Sequence, residues 1–376
     1  MTKLDKLVPE HLRALAPYPP GKPIRQAEQE SGRRCIKLAS NENPFGPSPR
    51  AIEAICAAAA ETNFYPDNDS TDLRALLAER NRVPLDRVVV TAGSTSLLGI
   101  IARTFLGPGL NAVTSERSFV VYPIVTRATG ARFIEAPMRG DAYDLDAILA
   151  AIDSNTRVVF LANPNNPTGT LFDAADLDRF LDRIPDHVVV ALDEAYCDFA
   201  EHFAAQRGVR YSHSMDYVRE GRNVVVLRTF SKAHGLAGLR VGYGFGPPAL
   251  VHYFNRLRTT FSVSAVAQAA ALAALEDQAH VRRAIENNTR EAPRLERSLK
   301  DLGFHVVQTW ANFVYCELGE NASAVAKRMQ MEGVIIRPLT AWGAPTAMRV
   351  TVGTPGQNAQ FLAAFKKVME RTPVPR

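Results

Sequence analysis

The segment 228–240 reads Arg-Thr-Phe-Ser-Lys-Ala-His-Gly-Leu-Ala-Gly-Leu-Arg. Lys232 has small and apolar neighbours, and Arg240 follows eight positions later. Most lysines are solvated surface residues. One held from water near a second cation disfavours its ammonium form and becomes an amine nucleophile. Asp193 closes an apolar run and begins Asp-Glu-Ala-Tyr, ending at Tyr196. An acid there is costly to bury unless a cation meets it, and the alternative is a solvated helix cap. Asn166 lies in Asn-Pro-Asn-Asn-Pro-Thr-Gly (163–169), a rigid turn with an unusual density of carboxamides. In Thr-Ala-Gly-Ser-Thr (91–95), a glycine and the hydroxyls of Ser94 and Thr95 would leave backbone N–H groups free for a phosphate. An ordinary strand–helix turn reads the same way.

The elements that must position these residues follow from periodicity. Apolar runs bounded by turn residues occur at 88–90, 112–114, 132–135, 158–161, 188–192, 224–227 and 241–245. Fully apolar short runs suit strands buried on both faces. Their alternation with helical patterns predicts an α/β fold with a mixed, mostly parallel seven-stranded sheet, the last strand being the candidate for antiparallel pairing. Helical spacing marks 51–62 and 70–80. After residue 262 the composition shifts to helices at 265–275 and 281–302. Strand candidates 305–307, 313–317, 334–337 and 349–352 follow, with helices at 322–332 and 358–370. The expected organisation is an extended proline-rich arm (1–45), a large domain (46–262) and a small α+β domain (263–376).

In an open parallel sheet, ligands bind beyond the carboxyl ends of the strands. Asn166, Asp193, Lys232 and Arg240 all stand at or after successive strand ends, so one pocket can hold them. An amine nucleophile, a buried acid, phosphate donors and an asparagine meet the requirements of pyridoxal phosphate. Lys232 would join the aldehyde, and Asp193 would keep the pyridine nitrogen protonated. Ser94, Thr95, Thr229, Ser231 and Arg240 would hold the phosphate, and Asn166 and Tyr196 would bond the ring oxygen. An aromatic side chain should stack on the ring, and Tyr122 is the candidate. His234 is given no catalytic role, because a helical offset of two puts it on a different face from Lys232.

The chain resembles the fold-type I pyridoxal-phosphate aminotransferases, and within them the histidinol-phosphate subgroup. The resemblance rests on Ala16-Pro17-Tyr18, Ser40-Asn41-Glu42-Asn43-Pro44-Phe45-Gly46, Tyr65-Pro66-Asp67, Asn165-Asn166-Pro167-Thr168-Gly169, Asp193-Glu194-Ala195-Tyr196, Ser231-Lys232 with Arg240, and Met348-Arg349-Val350. It implies a ping-pong transamination with Lys232 as the Schiff-base lysine and general base, joined in catalysis by Asp193 and Tyr196. It further implies that Arg349 clamps a substrate carboxylate or its equivalent. Arg337 would help bind a substrate phosphate, Asn43 would contribute to the substrate site, and Tyr18 would help close the pocket. Tyr65 would cross a homodimer interface to the partner's cofactor phosphate. In the family's phosphate turn an acidic pair usually follows Gly-Ser; here Thr95-Ser96 stand instead. An aromatic amino-acid aminotransferase of the same fold and a non-catalytic cofactor-binding homologue are the rival readings.

Composition narrows the field. The 376 residues are 46% hydrophobic and 22% charged, with 44 basic and 39 acidic side chains and a formal net charge of +5. That is ordinary for a folded soluble protein and excludes disorder or a collagen-like chain. No basic block suggests nucleic-acid binding, and no apolar run approaches membrane-spanning length. Cys35, Cys56, Cys197 and Cys316 show no metal-ligand spacing and read as reduced thiols of a cytoplasmic protein.

Overall fold

Seven β-branched or apolar segments pair into one sheet in the computed structural model, which describes residues 4–370. They are β1 (Val88–Thr91), β2 (Asn111–Ser115), β3 (Arg132–Ala136), β4 (Thr156–Ala162), β5 (Val189–Asp193), β6 (Val224–Thr229) and β7 (Gly242–Phe245). The spatial order is β1-β7-β6-β5-β4-β2-β3. The β6–β5–β4–β2–β3 run is parallel, while β7 is antiparallel to both β6 and β1. Every residue of β1, β2 and β5 is buried, which explains the apolar runs 88–90 and 189–192. One face packs in the cluster that includes Val90, Leu161, Leu192 and Val226; the other packs with Leu97, Ile101, Phe160 and Phe254. Each such side chain contributes roughly 1.5–3 kcal/mol.

Helices Ala265–Glu276 and Gln278–Asp301 lead away from this sheet. Asp277 separates them, and its carboxylate accepts from the His280 N–H at 3.2 Å. A second, antiparallel sheet follows: β8 (His305–Val306), β9 (Phe313–Glu317), β10 (Arg337–Leu339) and β11 (Ala344–Thr351), in the order β8-β9-β11-β10. Its apolar face packs with Leu295, Leu299, Phe361 and Phe365.

Two expectations need correction. The run 334–337 is not one strand. Val334–Ile335 pairs in parallel with Ile36–Lys37, whereas Arg337–Leu339 belongs to the four-stranded sheet. The proline-rich arm is not extended throughout. Pro23 leads into helix Ile24–Ser31, which ends on Gly32 in the left-handed conformation. Leu38 then enters the core of the second sheet. Prolines mark where helices cannot continue, but they tolerate a helix starting just after them. The outermost residues of the arm and of the C-terminal segment, 1–3 and 371–376, lie outside the described residues. Among the described residues no helix is long and apolar enough to cross a membrane.

Candidate active site

The carboxyl ends of β1, β4, β5 and β6 converge. Ala162 is the register partner of Asp193, and Asp193 of Leu227. Because β7 runs the opposite way, its first residue, Gly242, lies beside both Thr91 and Thr229. Arg240, just upstream, therefore arrives at the same edge. A cavity of about 230 Å³ opens there. Its lining includes Ser94, Thr95, Asn166, Asp193, Tyr196, Thr229, Ser231, Lys232 and Arg240 from this sheet, Arg337 and Arg349 from the other, and Tyr18 from the arm.

One end of the cavity is a cradle of donors. Helix Ser94–Phe105 begins there, presenting its free N–H groups and the Ser94 and Thr95 hydroxyls. Arg240 donates to Ser231 Oγ at 3.3 Å, and the Ser231 N–H donates to Thr229 Oγ1 at 3.1 Å. Two glycines permit this closeness. A Cβ on Gly93 would lie 2.5 Å from Arg240 Nη2, and one on Gly242 would lie 2.4 Å from the Ser94 nitrogen. Among the described residues no carboxylate lies within ion-pair distance of Arg240, so the cradle suits an anion the size of a phosphate.

Asp193 lies deeper, 5% exposed. Tyr122 Oη donates to its Oδ2 at 3.0 Å, and the Ala195 N–H to its Oδ1 at 3.2 Å. Burial nevertheless raises its pKa to about 6. Lys232 Nζ donates to the Ser40 carbonyl at 3.1 Å and lies 5.5 Å from the Tyr196 ring centre. Burial and the nearby Arg349 cation bring its pKa down to about 7. Tyr196 accepts from Asn41 Nδ2 at 2.8 Å, and burial raises its phenol to about 12.

The opposite wall carries two arginines. Arg337 and Arg349 are direct register partners across β10 and β11, a like-charge juxtaposition that ordinarily destabilises a sheet. Both are buried, at 7% and 4% exposure. Arg337 Nε and Arg349 Nη2 donate to the same carbonyl, that of Ala39, at 3.3 and 3.0 Å. Arg349 also bonds Asn166 Oδ1, while its Nε has no partner. Among the described residues neither guanidinium has a carboxylate within ion-pair distance. Burial lowers Arg349 to about 10, so it stays cationic at neutral pH.

Two residues expected in this cavity, Tyr122 and Asn43, lie elsewhere. Tyr122 does not line the cavity: it is fully buried, stacked on Phe160 with ring centres 4.8 Å apart, beneath Asp193. Phe119, three residues earlier, lines the cavity instead. The segment between them starts a short helix at Val121, so only one of the two rings reaches the opening. Asn43 also lies outside the lining. Its Nδ2 donates to the Ala233 carbonyl at 2.8 Å, pinning the turn that carries Lys232. Tyr65 is 82% exposed and stacks on Phe261, away from this chain's own cavity. His234 stays out of the cavity too, though not by a helical offset. Residues 230–235 form an irregular turn, and the imidazole packs against Phe230 with ring centres 5.0 Å apart. Sequence reasoning missed Phe119, Glu42 and Trp342 as lining residues. Glu42 stands inside the motif 40–46, which is the signal that was available for it.

Comparison with known proteins identifies the family. The family Aminotransferase class I and II matches residues 33–365. Histidinol-phosphate aminotransferase 2 of Pseudomonas fluorescens (strain Pf0-1) is 45% identical over 363 residues, covering 96% of each chain. Histidinol-phosphate aminotransferase of Akkermansia muciniphila is 41% identical over 370 residues, covering 97% of this chain and 99% of its own. The crystal structure of histidinol-phosphate aminotransferase from Sinorhizobium meliloti in complex with pyridoxal-5'-phosphate superposes with a TM-score of 0.85 at 29% identity, covering 96% of this chain and 97% of that one. With the strand-end lysine, the acid and the donor cradle in one cavity, and with matches that run nearly end to end, the chain belongs to the class I and II aminotransferases.

Proposed function

We propose that this chain is a pyridoxal-phosphate-dependent aminotransferase that moves the amino group of histidinol phosphate to 2-oxoglutarate, giving imidazole acetol phosphate and glutamate. The observation that carries the donor reading is the Arg337–Arg349 pair, buried side by side, without a carboxylate partner among the described residues, and lining the cavity that holds Lys232. Two uncompensated buried guanidiniums are costly, and a phosphorylated donor brings the charge they lack. Relatives at 41–45% identity carry the name of this activity.

The residues fit the cofactor. Ser94, Thr95, Thr229, Ser231 and Arg240 would hold its phosphate, and Asp193 would meet its ring nitrogen. Asn166 and Tyr196 would bond its ring oxygen, and Phe119 would offer an aromatic face. When bound, pyridoxal phosphate supplies an aldehyde that takes up amines and a ring that accepts electrons from a bond breaking at the substrate carbon. Lys232 Nζ, with a pKa of about 7, is substantially neutral near pH 7 and can take a proton from the amino-bearing carbon and return it. Asp193 is a carboxylate above about pH 6 and there attracts a positive ring nitrogen. Arg349, fixed through Asn166 and Ala39, orients the donor. The same reading includes a cytoplasmic homodimer in which Tyr65, exposed beside Phe64, crosses to the partner subunit.

Glutamate formation from 2-oxoglutarate with histidinol phosphate and with phenylalanine as donors tests the proposal. The expected kcat/KM is at least about 100-fold higher for histidinol phosphate, the discrimination available to a site built on polar contacts. A preference for phenylalanine would instead make the chain an aromatic amino-acid aminotransferase. No glutamate with any donor, and no absorbance from bound cofactor, would make it a non-catalytic homologue.

A further inference from the structure

Four cationic side chains line the cavity, Lys232, Arg240, Arg337 and Arg349, against two acids, Asp193 and Glu42. Asp193 is enclosed and already accepts two hydrogen bonds. Glu42 is different: it comes from the arm, and its side chain is 39% exposed. Its Oε1 accepts from Lys37 Nζ at 2.6 Å. Its Oε2 has no partner among the described residues. Lys37 thus anchors the carboxylate by one oxygen and leaves the other unpaired among the described residues, on a residue that lines the cavity. Glu42 also lies close enough to act electrostatically on both Lys232 and Arg337.

This inference rests on the donor reading given above. The reacting carbon of such a donor bears three substituents besides hydrogen. Its amine belongs with Lys232, and its phosphate-bearing arm with Arg337 and Arg349. The third substituent takes the remaining wall, to which Tyr18, Phe119, Trp342 and Glu42 contribute. Glu42 is the charged group among these. We propose that Glu42 is a specificity-determining residue: its free Oε2 accepts a hydrogen bond from the N–H of a heteroaromatic ring on the donor, and it disfavours the second carboxylate of a dianionic acceptor. A charge-assisted hydrogen bond of this kind is about twice as strong as a neutral one, and a phenyl ring has no N–H to offer it.

The two half-reactions of the cofactor-loaded protein separate these effects. In Glu42→Gln the rate constant kcat/KM should fall about tenfold with histidinol phosphate, while that with 2-oxoglutarate holds or rises. Lys37→Gln removes the anchor but keeps the carboxylate, and should leave the ratio of the two half-reactions within about twofold of the unmodified protein's. Equal losses in both half-reactions for Glu42→Gln, or the same change of ratio in Lys37→Gln, would mean that the ion pair merely holds the arm, and the proposal would be overturned. An unmodified protein that does not react with histidinol phosphate would overturn the donor reading and this inference together. One that does react, with its ratio unmoved in Glu42→Gln, would overturn the inference alone.

Discussion

Lys232 and Asp193 stand at the strand ends of the seven-stranded sheet as an amine and an acid, each with hydrogen-bond partners supplied by nearby backbone or side chain. Across the cavity, Arg337 and Arg349 are like charges placed directly opposite each other, and the arm carbonyl of Ala39 serves them both. At the amine and the acid the first surface satisfies its own groups, which are tuned by burial, while its Arg240 cradle is left open to an anion. The second is unbalanced, and an anion would relieve it. On the reading proposed above, reactivity belongs to the sheet that carries the amine and the acid, and donor recognition to the one that carries the paired arginines.

The strongest way to break that division is at the amine. Lys232→Ala should lower transamination by about 10⁴-fold or more, and borohydride treatment of the cofactor-loaded variant should leave no pyridoxyl label at position 232. If substantial turnover survived, chemistry would not belong to the sheet. On the other wall, Arg349→Gln should lower kcat/KM by about 100-fold, the loss of charge-assisted bonds to an anion. Arg337→Gln should lower it by about tenfold to 100-fold for a phosphorylated donor, seen mainly in KM. Equal effects of Arg337→Gln on phosphorylated and unphosphorylated donors would erase its recognition role.

Burial sharpens the contrast through pH. Asp193 binds its proton more tightly when folded, at about 6 against a usual value near 4. Its contribution to stability is therefore full below about pH 4 and is lost as pH rises through 6. Asp193→Asn should stabilise the cofactor-free protein at pH 8 by up to about 2 kcal/mol, measured by denaturant unfolding, while abolishing activity. Lys232 works the other way in sign, because its folded pKa is depressed. Its contribution is present above about pH 10 and is lost as pH falls through 7. The smallest effect is expected at Tyr122→Phe. Removing the donor to Asp193 should raise that acid's pKa further and shift the acid limb of the rate profile upward by about half a unit to one unit.

Much of this was legible in the sequence because the sheet announces itself. Uninterrupted apolar runs such as 158–161 and 188–192 can be strands only if both faces are covered, and the chemistry then falls at their carboxyl ends. The last run, 241–245, is the candidate for antiparallel pairing, and β7 is antiparallel to both its neighbours. Aromatic assignments were less legible. Phe119 and Tyr122 both suit a ring-stacking role by type, and only the start of the helix at Val121 decides which one faces the opening. Asn43 belongs to a telling motif, yet its partner is the Ala233 carbonyl, a backbone atom that sequence pattern does not reveal. Splitting 334–337 between two sheets likewise depends on a partner strand almost three hundred residues away.

The crossing of the arm over the lysine turn has a temporal implication. Ser40 and Asn43 bond Lys232 and Ala233, and Gly235 passes so near Gly46 that a Cβ would lie 2.2 Å from its carbonyl oxygen. The residues that aim the amine leave the ribosome some two hundred positions before it does. The arm that carries them also pairs, through Ile36–Lys37, with Val334–Ile335, which lies later still in the chain. The aim of the amine thus depends on contacts between segments that are made far apart in time during synthesis.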